Sequence, residues 1–239
     1  MIEAVIFDWG GTLSIFMDIE MDDMWRLAAK HLAAGDPDRE DEVRARLVAV
    51  EAAAWARIPV DQRSFTLAEL LSEASRVLQL DVIDAVLAEA GQGHLDAWTP
   101  HIHHDPDARD VLSRLKERGL KVGLLSNTHW PRAFHEHFLD RDGLSPFIDA
   151  RLYTSELPYS KPHASAFRAA LDALGVDDPA SAVFVGDRPY DDIYGAQQAG
   201  MRGVLKGNCF VPSYDVAPAA SIDALPELLA VLDRWSDGP

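Results

Sequence analysis

The chain has 239 residues, 48% hydrophobic and 26% charged, which excludes a disordered chain, a collagen and a disulfide scaffold. With 39 Asp and Glu against 22 Lys and Arg, its net charge of -17 disfavours nucleic acid and anionic membranes as partners. The single cysteine, Cys209, fits a reducing compartment. No apolar run reaches the roughly 18 residues that span a bilayer, and Met1-Ile2-Glu3-Ala4-Val5 lacks a basic leader segment. The expectation is a cytoplasmic protein of one domain with a large insert, or of two modest domains.

In chain order, Ala4-Val5-Ile6-Phe7 is a short apolar run of the kind that forms a strand buried on both faces of a parallel sheet. No convincing strand follows until after residue 98. Helical patterns instead cover residues 22–34, 39–56, 67–78 and 82–97, with Gly35, Pro37 and Pro59 as breakers. A polar stretch between Pro100 and Pro106 closes this block. Residues 108–118 place Val111, Leu112 and Leu115 on one helical face, and Gly119 stops them. Val122-Gly123-Leu124-Leu125 is the second strand and Ala150-Arg151-Leu152-Tyr153 a weaker candidate. Residues 164–174 form a helix with Phe167, Ala170, Leu171 and Leu174 on one face, stopped by Gly175. Ala182-Val183-Phe184-Val185 and Gly203-Val204-Leu205 are further strands, and residues 224–235 a last helix. Strands alternating with helices imply right-handed βαβ units. The expected fold is therefore α/β, a doubly wound parallel sheet from residues 1–15 and 100–239, with an all-helical insert over residues 16–99.

The residues just beyond each strand carry the chemistry. The first strand runs into Asp8-Trp9-Gly10-Gly11-Thr12, the second into Ser126-Asn127-Thr128, and the third into Gly186-Asp187-Arg188-Pro189-Tyr190-Asp191-Asp192. In an open parallel sheet, ligands bind outside the carboxyl ends of the strands, so these clusters converge on one edge. Lys161, in Ser160-Lys161-Pro162, precedes the next helix. Two facing carboxylates need a cation between them, and oxygen ligands suit Mg²⁺. A carboxylate is also a competent nucleophile toward phosphorus. A lysine, a hydroxyl and glycine-loop N–H groups can hold the phosphoryl oxygens.

In these residues the chain resembles the haloacid dehalogenase (HAD) superfamily. Its four motifs occur in order, as Asp8-Trp9-Gly10-Gly11-Thr12-Leu13, Leu125-Ser126-Asn127, Lys161-Pro162, and Gly186-Asp187 with Asp191-Asp192. The resemblance implies that Asp8 is the nucleophile. It implies Asp8, Asp187 and the Gly10 carbonyl as Mg²⁺ ligands. Ser126 and Lys161 then act in catalysis by holding phosphate, with Gly11, Thr12 and Asn127 around it. Asp192, or less readily Asp191, is the acid that steadies the lysine and the metal's waters. The helical block takes the place of the superfamily's α-helical (C1-type) cap. The 33 residues between Asn127 and Lys161 are too few for the larger cap type.

One departure matters. Phosphatases of the family usually carry a second aspartate two residues after the nucleophile, where it protonates the leaving oxygen. Here that residue is Gly10. General acid–base catalysis is worth roughly 10²–10⁴-fold, and a glycine supplies none. The expectation is still a Mg²⁺-dependent phosphatase of a small phosphorylated metabolite, because Asp187, Lys161 and Ser126 are all retained. The alternatives are a dehalogenase, a phosphonoacetaldehyde hydrolase-like enzyme, or a catalytically weak member with a binding role. Dehalogenases of the family usually have Ser-x-Asn in place of Gly186-Asp187. The phosphonatase reading needs a Schiff-base lysine in the cap, where only Lys30 is present, on what reads as an exposed face.

The histidines His101, His103 and His104, and His129, His135 and His137, match no standard zinc spacing and read as solvated loop residues. His129, two residues after Asn127, and Asp18 in the hinge are candidates for the missing acid. Trp25, Trp55 and Trp98 read as packing residues of the insert. Trp9 either packs or touches substrate, and Cys209 reads as inert. Substrate identity and oligomeric state have no legible signal.

Overall fold

The computed structural model describes residues 1–15, 19–207 and 211–236. Asp18 and Cys209 lie outside the described residues. Six parallel strands form one sheet in the order β3-β2-β1-β4-β5-β6. They are β1 (Ala4–Phe7), β2 (Lys121–Ser126), β3 (Ala150–Tyr153), β4 (Ala182–Gly186), β5 (Arg202–Lys206) and β6 (Ala220–Ile222). The chain moves outward on one side of β1 through β2 and β3, then returns to lay β4, β5 and β6 on the other. The direction reverses between β1 and β4, where Ala4 to Phe7 pair in register with Ala182 to Val185. Ligand crevices form at such switch points.

Alternation of side chains along the strands explains why both faces are covered. Val5, Phe7, Val122, Leu124, Val183 and Val185 point to one face. There they meet α5 (Ala108–Glu117), α6 (Arg132–Arg141) and α9 (Glu227–Ser236), through Leu112, Phe138 and Leu228 among others. Ala4, Ile6, Leu125, Ala182 and Phe184 point to the other, against α7 (Ala164–Leu174) and Ala196 of the short α8 (Gly195–Gln198). This is the doubly wound α/β sheet the sequence suggests.

Four helices stand between β1 and α5: α1 (Arg26–Leu32), α2 (Pro37–Asp61), α3 (Leu67–Val77) and α4 (Asp84–Trp98). They bury a core of their own around Trp25, Leu32, Val43, Leu47, Ile58 and Leu70. Asp36 caps α2 by accepting from the Asp38 N–H, with Pro37 at the first position, where its missing N–H costs nothing. Thr66 and Glu69 form a reciprocal capping box at the start of α3. The block is tied to the sheet domain through main chain: Leu67 N–H donates to the His129 carbonyl at 2.7 Å, and Ser160 N–H to the Gln62 carbonyl at 2.8 Å.

Several elements differ from the sequence reading, among them strand β6 and the short α8, which it does not contain. The second helix does not end near Ala56 but runs on to Asp61 with Pro59 inside it. A proline in the last turn forfeits only one ladder bond, so the helix tolerates it. Residues 132–141 are helical, as α6, which the histidines there disguise as loop. No helix among the described residues is long and apolar enough to cross a membrane.

Candidate active site

Asp8 leaves β1 at the switch point, and its backbone N–H donates to the Val185 carbonyl at 2.8 Å. The turn after it closes by Ser14 N–H donating to the Trp9 carbonyl at 2.7 Å. Gly11 has φ +77°, a left-handed conformation that favours glycine. A side chain on Gly10, by contrast, would meet open space, with no atom within 4 Å of a Cβ. The Trp9 indole donates to His104 Nε2 at 3.0 Å, and His104 Nδ1–H donates to Asp142 at 2.7 Å, so the turn after Asp8 is braced on α6's end.

Lys161, 1% exposed, is the electrostatic centre of the site. Its ammonium donates to Asp8 Oδ1 at 2.6 Å and to Asp192 Oδ1 at 2.7 Å. The other Asp192 oxygen accepts from the Arg188 N–H at 2.9 Å. Asn127 fixes the lysine's backbone from both sides: its Nδ2 donates to the Lys161 carbonyl at 2.9 Å, and its Oδ1 accepts the Lys161 N–H at 2.8 Å. The two carboxylates hold the Lys161 ammonium well above the ordinary lysine range, against the desolvation that opposes it. Burial pushes the Asp8 carboxyl up to about 6, opposed by Lys161 and helped by Asp192. Burial also pushes Asp191 up to about 6, helped by Asp192.

Carboxylate oxygens of Asp8, Asp187 and Asp192, all buried, lie within 4.8 Å of one another. Three hard oxygens converging this closely fit Mg²⁺. Gly186 makes part of this possible, because a Cβ built there would overlap the Asp192 carboxyl. Gly186→Ala is expected to push Asp192 off Lys161 and to cost about 1–3 kcal/mol. Urea unfolding measures that loss, and an unchanged midpoint would show that the site relaxes around the methyl.

A cavity of about 220 Å³ lies over these groups. Asp8, Gly10, Ser126, Asn127, Lys161 and Asp191 form its floor. Met21, Glu51, Trp55 and Trp98, from the helical block, form its roof. It shares Met21, Trp55, Asn127, Arg188 and Asp191 with an adjoining groove of about 910 Å³ that also takes in Tyr190 and Tyr214.

A family model described as haloacid dehalogenase-like hydrolase matches residues 2–200. The chain belongs to the haloacid dehalogenase-like hydrolases. Among curated relatives it is 35% identical, over 56% of each chain, to the glyceraldehyde 3-phosphate phosphatase of Pyrococcus furiosus. It is 37% identical to the phosphoserine phosphatase of Thermus thermophilus over 41% of this chain and 39% of that one. The chain thus spans about half or less of the length of the curated relatives it matches. Two solved HAD-like structures match it over nearly their whole length, both at 24% identity. One is a HAD phosphatase from Thermococcus onnurineus, with TM-score 0.68 over 97% of this chain and 98% of that one. The other is a 2-haloacid dehalogenase from Pseudomonas syringae pv. Tomato DC3000, with TM-score 0.69 over 98% and 100%. At that identity both speak for the fold, and the fold hosts either reaction.

The site residues expected of a HAD-like hydrolase divide into three groups. Asp8, Gly10, Ser126, Asn127, Lys161 and Asp191 line the cavity, while Asp187 and Asp192 are fully buried beside it. Gly11 and Thr12 are buried and are not among the cavity's lining residues. Lys30 is exposed on α1 and does not line the cavity, so the phosphonatase-like alternative finds no lysine from the helical block among the described lining residues.

Three of the histidines are not the solvated loop residues that their spacing suggests. His104 keeps only 4% of its side chain exposed, and His129 and His135 are buried. They belong to an aromatic cluster with Trp9, Trp25, Trp130 and Tyr153. Burial holds His129 well below the usual imidazole range, so it is neutral and a poor candidate for the missing acid. Met21 and Glu51 of the roof, and His94 outside the cavity's lining, escaped the sequence reading. Glu51 stands on the apolar stripe of α2 with Val43, Leu47, Ala54 and Ile58, and an acid at a core position is a signal of use. His94, fully buried on α4, carries no such local mark.

Proposed function

We propose that this HAD-like hydrolase is a Mg²⁺-dependent phosphatase of a small phosphorylated metabolite, acting through an aspartyl-phosphate on Asp8. The observation that carries this reading is the Asp8–Lys161–Asp192 triad at the switch point, with Asp187 beside it and a small cavity above. The relatives' names support phosphate esters as the substrate class, since they include phosphatases of glyceraldehyde 3-phosphate and phosphoserine. In this reading residues 1–15 and 100–239 are the catalytic domain and residues 16–99 the cap that closes over it. Closure excludes water and sets the size of the leaving group. The cavity's volume limits the substrate to a phosphoryl group carrying a few further atoms, unless its tail extends into the adjoining groove.

The roles follow from placement. Mg²⁺ held by Asp8, Asp187 and the Gly10 carbonyl would supply positive charge between the incoming phosphoryl group and the carboxylates. Lys161 orients the Asp8 carboxylate through Oδ1 and presents a fixed cation to the equatorial phosphoryl oxygens. The Ser126 hydroxyl is the further donor on the floor. An Asp8 oxygen attacks phosphorus, the leaving oxygen takes a proton, and water then cleaves the acyl phosphate and restores Asp8. Asp192 holds Lys161 in place throughout.

The test is hydrolysis of an aryl phosphate and of a panel of small sugar and amino-acid phosphates, with Mg²⁺ and with EDTA. An aryl group leaves readily, so it reports on Asp8 without depending on an acid. Turnover that needs Mg²⁺ is the expected result. Silence on every phosphate would sink the reading and turn attention to carbon–halogen substrates.

A further inference from the structure

We propose that Glu51, reaching from α2 into the roof of the cavity, is the general acid and base of this enzyme and replaces the side chain that Gly10 lacks. The assignment rests on the phosphatase reading above.

The cavity's other titratable and charged groups are committed elsewhere. Asp8 and Lys161 pair on the floor. Asp191 stands in the π-helical turn Pro189–Tyr194 after β4, on the floor, with the Arg188 guanidinium 3.9 Å away. His135 and His129 are buried and neutral, His135 held down to about 3. Among the described residues that line the cavity, Glu51 is the carboxyl group that faces the floor from the opposite wall. Two indoles fix its position: Trp25 Nε1–H donates to Oε2 at 2.7 Å and Trp55 Nε1–H to Oε1 at 3.3 Å.

The surrounding hydrogen-bond polarity gives Glu51 a reason to carry a proton. A carbonyl only accepts, so His94 Nδ1–H must donate to the Met24 carbonyl, 3.2 Å away. The neutral ring then has an acceptor at Nε2, which takes the Trp130 indole N–H at 3.3 Å and His129 Nε2–H at 3.5 Å. That leaves His129 Nδ1 as a bare lone pair, buried and with no hydrogen-bond partner among the described residues. Glu51 Oε1 is 3.8 Å from it. Two acceptors facing each other in a largely buried wall repel, unless a proton sits on one of them. The carboxyl is the group that can hold it, since burial raises Glu51 from its ordinary value while both indoles pull it down. The leaving oxygen of an ester bound in the cavity is an acceptor for that proton.

The step balances. As the bond from Asp8 to phosphorus forms and the bond from phosphorus to the leaving oxygen breaks, Glu51 gives its proton to that oxygen. The Glu51 carboxylate next takes a proton from the water that attacks the aspartyl-phosphate. Inorganic phosphate departs, and Asp8 and protonated Glu51 are restored.

The test compares an alkyl phosphate, glycerol phosphate, with an aryl phosphate in wild type, Glu51→Gln and the double variant Glu51→Gln/Gly10→Asp. Glutamine keeps the shape and an acceptor for one of the two indoles but has no acidic proton to give. For Glu51→Gln, kcat on the alkyl ester is expected to fall by about 10²-fold or more with KM little changed. The aryl ester should instead show a burst of one aryl alcohol per enzyme, followed by slow turnover. The double variant places a carboxyl in the open space at Gly10 and is expected to recover at least about tenfold of the lost alkyl turnover, a rescue that a purely structural Glu51 would not show. Unchanged kcat in Glu51→Gln overturns the assignment alone. So does an equal loss on both esters with no burst and no rescue. A wild type that hydrolyses neither ester overturns the phosphatase reading and the assignment with it.

Discussion

Asp8→Asn is expected to abolish phosphate-ester turnover, by about 10⁴-fold or more, and at the same time to leave the protein more stable. The loss follows because an amide is too weak a nucleophile to attack phosphorus, whereas size, shape and neighbours barely change. The gain follows from charge. Lys161 brings one positive charge to a buried site that already holds Asp8 and Asp192. Burial raises the Asp8 carboxyl from 3.8 to about 6. A group whose folded value is raised favours the fold below its unfolded value, and that contribution is lost as pH rises through 6. At pH 7 the Asp8 carboxylate is therefore ionised at a cost, on the order of 1–3 kcal/mol in metal-free protein. The amide of Asp8→Asn carries no charge to desolvate and leaves a neutral Lys161–Asp192 pair. A thermal melt in EDTA at pH 7 should place Asp8→Asn a few degrees above wild type. A melting point well below wild type would mean that Asp8 is a structural partner of Lys161 first and a reacting group second.

That opposition between activity and stability marks the part of the site that was legible in the sequence. The strands announced themselves because a parallel strand buried on both faces must be apolar throughout, as Ala4–Phe7 and Ala182–Gly186 are. The polar residues just beyond them had no structural excuse, and they meet at the switch point. Strand β6, Ala220–Ile222, is three residues long with a serine at its centre and carries no such signal. Helix α6 hid because His135 sits in its apolar face, although Phe134 and Phe138 keep the helical spacing. The roof was harder still. Glu51 meets Trp25 across 26 positions and His129 approaches His94 across 35, and no local pattern encodes such pairings. Trp25 and Trp55 looked like packing residues and do pack, but their indole N–H groups are what hold Glu51. Tryptophan buries its body and still needs a partner for one polar atom, so a buried carboxyl and a buried indole each answer the other's need.

Lys161→Met is expected to be the reverse case, losing both activity and fold. Methionine fills the space of the lysine stem beside the Phe184 ring, over which the ammonium now lies at 5.0 Å, so packing is largely conserved. What disappears is the counter-charge. Asp8 and Asp192 would then face each other with no cation between them, Asp192 fully buried and Asp8 nearly so. Removing one partner of a buried ion pair costs roughly 3–5 kcal/mol, because the other charge is stranded. That is a large fraction of the ~5–15 kcal/mol that holds a domain together. The sign of the pH dependence identifies the cause. Without Lys161 the folded-state value of Asp8 rises further above its unfolded value. Its contribution then favours the fold below the ordinary carboxylate range and is lost as pH rises through the raised value. The gap between Lys161→Met and wild type should therefore be widest near pH 7–8 and narrow as pH falls toward about 6, below which Asp8 is protonated in both proteins. Urea midpoints across pH 5–8 measure it. A gap that stays constant over that range would assign the loss to packing, and the lysine would then be a structural post rather than the charge around which the site is arranged.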